Sequence, residues 1–193
     1  MSSAPDSYWM LECFRKPLVG GKAIREWPEV PGVRSWVSGS RFKDPIPEPI
    51  VLYWDPEYED APTKALYKAG IPMMKREMHK ALLEAGVDNL DIYAVEVKST
   101  VTPEVDRSFI AFNVVGMVSA ADMSKSKYDT GGGPPLIAVD FFSVTLDPAK
   151  AHGARLFRLA ENVSAIVVHD SVKRHLETRG FGLSFIPPEK WAG

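Results

Sequence analysis

The chain has one cysteine, Cys13, among its 193 residues. It can close no intrachain disulfide and build no cysteine-based zinc site, and a reducing compartment suits it. It has no apolar run approaching the roughly 18 residues of a membrane span. The opening MSSAPDSYWMLECF has no basic segment leading into an apolar one, so neither a secretory signal nor an anchor is expected there. Charge of one sign is also missing. The chain carries 23 Lys+Arg against 25 Asp+Glu, a formal net charge of -2, which argues against a dedicated nucleic-acid binder. The expectation is a cytoplasmic protein with neither a nucleic-acid nor a membrane partner.

Familiar catalytic patterns are lacking too. A nucleophile elbow needs Gly-x-Ser-x-Gly, and Val37-Ser38-Gly39-Ser40 has no leading glycine. The run Gly131-Gly132-Gly133-Pro134-Pro135 is followed by no Lys-Ser or Lys-Thr and no helical pattern, so it reads as a loop tip rather than a phosphate cradle. Cys13 lies in an alternating apolar run and reads as a buried thiol. There are four histidines. His169 and His175 are six apart, which on a helix places them roughly 240° from each other, unlike the i, i+4 pair of zinc helices. His175 reads as an edge-of-core residue and His169 as lying just outside the helix start. No cofactor or metal is expected. An enzyme with a site assembled in space around His152, His169 and Asp170 is the alternative that spacing leaves open.

What is present suits one domain spanning 1–193, long enough to bury a core without staples. Alternation over 8–14 predicts an opening strand, and the Pro- and Gly-rich stretch from Glu26 to Pro49 predicts irregular structure held by Trp27 and Trp36, with a short strand at 33–37. Ile71, Met74, Met78, Leu82 and Ala85 share one helical face, predicting a helix over 71–85, with Pro72 in its first turn, Gly86 just past its end and the methionines as core filling. Ile92 to Lys98, Phe109 to Val118 and Leu136 to Leu146 predict the centre of an antiparallel sheet. The fold class is therefore α+β: a mainly antiparallel sheet flanked by helices at 71–85 and 170–179.

One segment unites aromatic residues with concentrated negative charge. Tyr53, Trp54, Asp55, Glu57, Tyr58, Glu59 and Asp60 follow directly on the apolar strand Ile50 to Trp54. Aromatic anchors ringed by polar groups are the composition of interface hot spots, and an acidic surface steers a basic partner. The plainer reading is a solvated turn with Trp54 facing the core.

The C-terminal forty residues read most completely. Leu156-Phe157-Arg158-Leu159 and Ala165 to Val168 are strands, and Asp170 is placed to cap a helix with Val172 and Leu176 on its buried face. Gly180 closes that helix, and a last strand ends at Phe185-Ile186-Pro187. Upstream stand Leu83-Glu84-Ala85-Gly86-Val87-Asp88 and Asn113-Val114-Val115-Gly116. In this order the motifs resemble a family of bacterial immunity proteins from polymorphic toxin systems, named after a myxobacterial immunity protein. The resemblance covers most of the chain and is weakest before residue 45. It implies a protein that binds and neutralises a cognate toxin domain, with no catalytic residue and no cofactor of its own.

Overall fold

Met73 and Met74 are adjacent and both fully buried, yet they pack into different clusters, which is possible only where a strand is covered on both faces. The computed structural model in which this is seen describes residues 7–13, 21–129 and 139–193. The glycine run at 131–133, Phe14 and the start of the 136–146 segment lie outside the described residues.

In chain order the strands and helices are β1 (Tyr8–Glu12), β2 (Ile50–Tyr53), β3 (Leu66–Tyr67), β4 (Met73–Lys75), α1 (Arg76–Glu84), β5 (Leu90–Lys98), β6 (Val105–Asp106), β7 (Phe109–Val114), β8 (Met117–Val118), β9 (Lys127–Asp129), β10 (Asp140–Ser143), β11 (Leu156–Leu159), β12 (Asn162–His169), α2 (Asp170–Glu177) and β13 (Ser184–Ile186). Five strands form one sheet in the order β13-β1-β12-β11-β8. Six form another, β2-β5-β7-β4-β3 with β6 beside β5, and β9 pairs with β10. Pairing is antiparallel except between β2 and β5 and between β8 and β11. The α+β class with mostly antiparallel pairing is thus what the chain adopts.

Strand alternation sorts the apolar residues into three clusters. One joins both sheets to both helices: Leu156, Ile166 and Val168 from one sheet, Met74, Ile110 and Phe112 from the other, with Met78, Leu82, Val172 and Leu176 from α1 and α2. The reverse face of the five-stranded sheet packs Met10, Phe157 and Val167 on Phe141 and Trp191. The reverse face of the six-stranded sheet buries Leu52, Trp54, Val97 and Phe109 with Trp36. Trp36 is thus the anchor its position predicts, whereas Trp27 remains 37% exposed.

Several boundaries differ from the sequence reading. Residues 73–75 are strand, not the first turn of a helix, because Met73 and Met74 pair with Ala111 and Ile110 of β7 and the Pro72 carbonyl accepts the Phe112 N–H at 2.9 Å. The helical spacing of Ile71, Met74 and Met78 arises because all three are buried, not because one helix carries them. The end of α1 is as expected. Gly86 has φ +82°, the Gly86 N–H bonds the Leu83 carbonyl at 2.8 Å and the Val87 N–H bonds the Leu82 carbonyl at 3.0 Å, a Schellman closure. At α2 the cap is His169, whose Nδ1 accepts the Ser171 N–H at 3.2 Å, and Asp170 is already the first helical residue. The run 109–118 breaks at Gly116, φ +105°, where the chain leaves one sheet for the other. Residues 33–37 are not a strand, β10 pairs with β9 in a two-stranded sheet rather than lying at a sheet centre, and Cys13 is half-buried.

Candidate partner-binding surface

The period of β2 decides which residues of the acidic segment are available. Ile50 and Leu52 are buried, Tyr53 is 41% exposed on the opposite face, and Trp54 continues the buried set at 3%. Trp54 donates its N–H to the Lys98 carbonyl at 2.9 Å and bridges to Ile24. Its ring meets Phe109 edge-on at 5.8 Å and lies under the Lys22 ammonium at 5.5 Å. Trp54 is therefore a core residue of this region rather than an outward anchor.

Beyond it the chain turns back on itself. The Asp55 carboxylate accepts the Glu57 N–H at 3.0 Å, capping a single 3₁₀ turn over Pro56–Tyr58, and the Asp55 carbonyl accepts the Tyr58 N–H at 3.0 Å. That turn lifts Glu57, Tyr58 and Asp60 into solvent. Glu59 folds back to the Lys22 ammonium at 3.2 Å, and its Oε2 is buried with no hydrogen-bond partner among the described residues. Of the seven residues singled out from the sequence, Tyr53, Glu57, Tyr58 and Asp60 are exposed, Asp55 is half-buried in its capping role, and Trp54 and Glu59 point inward.

The fold adds neighbours that the sequence did not show. Parallel pairing sets Val51 opposite Glu96 and Tyr53 opposite Lys98, so these side chains share an outer sheet face with Ile92, which is 42% exposed. Glu96 is held by Arg107 at 2.8 Å on the same side. On the reverse face a pocket of about 320 Å³ opens between Trp54, Lys22 and Glu59 on one wall and Val97, Ser99, Glu104, Val105 and Asp106 on the other. Asp106 enters it because β6 pairs Asp106 with Val97. This corner holds six carboxylates, those of Asp55, Glu57, Glu59, Asp60, Glu104 and Asp106, against the cations Lys22, Arg25 and Lys98. A search for hot spots along the sequence misses the pocket because its two walls come from segments far apart in the chain.

His152, His169 and Asp170 have separate structural tasks. His152 is exposed and ends the 3₁₀ turn over Pro148–Ala151 with φ 48°. His169 caps α2 and stacks edge-on against Tyr8 at 5.4 Å. Asp170 accepts the Trp9 indole N–H at 3.2 Å and pairs with Arg174 at 2.8 Å. Among the described residues no three His, Cys, Asp or Glu side chains are grouped to hold a metal ion, and no helix is long and apolar enough to cross a membrane.

Arg158 of β11 is the other unusual polar residue. It is completely buried, its Nη1 donates to the Val163 carbonyl at 2.7 Å, and its Nε and Nη2 have no hydrogen-bond partner among the described residues. Burial holds its pKa at about 10, well below the ordinary guanidinium value.

A comparison with curated proteins finds no match. A family model described as "Immunity protein family (Imm11)" matches residues 14–189, nearly the whole chain. That span takes in both helices, the six-stranded sheet and the acidic corner built on β2, β5 and β6. The chain belongs to the immunity protein family Imm11.

Proposed function

We propose that this protein acts in the bacterial cytoplasm as the immunity partner of a toxin domain from a polymorphic toxin system, binding that domain and neutralising it without catalysis or cofactor. The observation that carries the proposal is the family match over residues 14–189. The acidic corner supports a mode of action. Tyr53 and Tyr58 offer amphipathic contact area at low entropic cost, and Glu57 and Asp60 stand beside them in solvent. A toxin that acts on an anionic substrate needs a basic cleft, and a surface of this charge would be drawn to it and cover it.

The test is co-expression of the toxin domain with wild-type protein and with a Glu57→Lys/Asp60→Lys variant. Both side chains are exposed, so the melting temperature should hold. Wild type should restore growth, and the variant should associate roughly tenfold more slowly at low salt, the difference shrinking as salt screens the field. Toxicity unrelieved by wild type, together with no complex on size exclusion, would refute the inhibitor reading. An unchanged association rate would remove the segment as the steering surface.

A further inference from the structure

We draw no further inference here: the strongest candidate, the largely apolar cavity of about 620 Å³ between the loop carrying Trp27, Val30, Val33 and Trp36 and the β3–β4 turn at Gly70, carries nothing because nothing in the structure shows what covers it.

Discussion

Replacing Arg158 by methionine should stabilise the protein. The guanidinium is wholly buried and makes one hydrogen bond among the described residues, Nη1 to the Val163 carbonyl at 2.7 Å, with no carboxylate paired to it. Its pKa of about 10 measures the penalty of keeping the charge there, which at about 1.4 kcal/mol per pH unit amounts to about 3 kcal/mol. Losing the bond to Val163 offsets about 1 to 2 kcal/mol of that gain. Methionine has similar length, flexes to fill the space and carries no charge, so the net expectation is about 1 to 2 kcal/mol in favour of the variant. For a chain of this size that is about 3–6 °C in Tm. The pH dependence follows from the sign. A base whose folded pKa is depressed destabilises the fold by a constant amount below that pKa, and the penalty fades only as pH rises past about 10. The gap between variant and wild type should therefore be flat across neutral pH in urea titrations and narrow above about 10. A variant destabilised by more than about 1 kcal/mol would refute the reasoning, because it would mean that Nε and Nη2 do meet acceptors.

Two further outcomes can be checked on the protein alone. Gly86→Ala should cost about 1–2 kcal/mol, since φ is +82° and the new methyl would stand 2.9 Å from Arg155 Nε, beside the bond from Arg155 to the Ala85 carbonyl; an unchanged urea midpoint would show that the Schellman turn relaxes freely. The Asp122 carboxyl, bonded to Lys125 and to Ser124, titrates at about 2, so its contribution is present above the ordinary carboxylate range and is lost only as pH falls through about 2; an NMR midpoint at the ordinary value would contradict the pairing.

Much of this molecule was legible before its fold was known, for reasons that are local. The LFRL strand, the final strand stopped at Pro187, the αL glycine after α1 and the apolar face of α2 follow from side-chain period and from the backbone freedom of proline and glycine. The order of those motifs carried the family, which the match over 14–189 establishes. Where local reasoning failed, a distant partner had decided the matter. Met73 and Met74 lie on a strand because β3 and β7 flank them, and a residue buried on both sheet faces has the same composition as one on a buried helix. His169 rather than Asp170 caps α2 because the Asp170 carboxylate is taken by Trp9, 161 residues away.

The acidic corner divides along the same line. Concentrated charge and aromatics at 53–60 are a property of consecutive residues, and the sequence alone determined them. Which of them face water was decided by β2 pairing in parallel with β5, because a one-residue change of register would have exposed Trp54 and buried Tyr53. The pocket exists only because β6 folds back on β5 and sets Asp106 across from Lys22 and Glu59. Pairing between strands is a long-range choice made by the whole core, and no stretch of chain encodes it by itself.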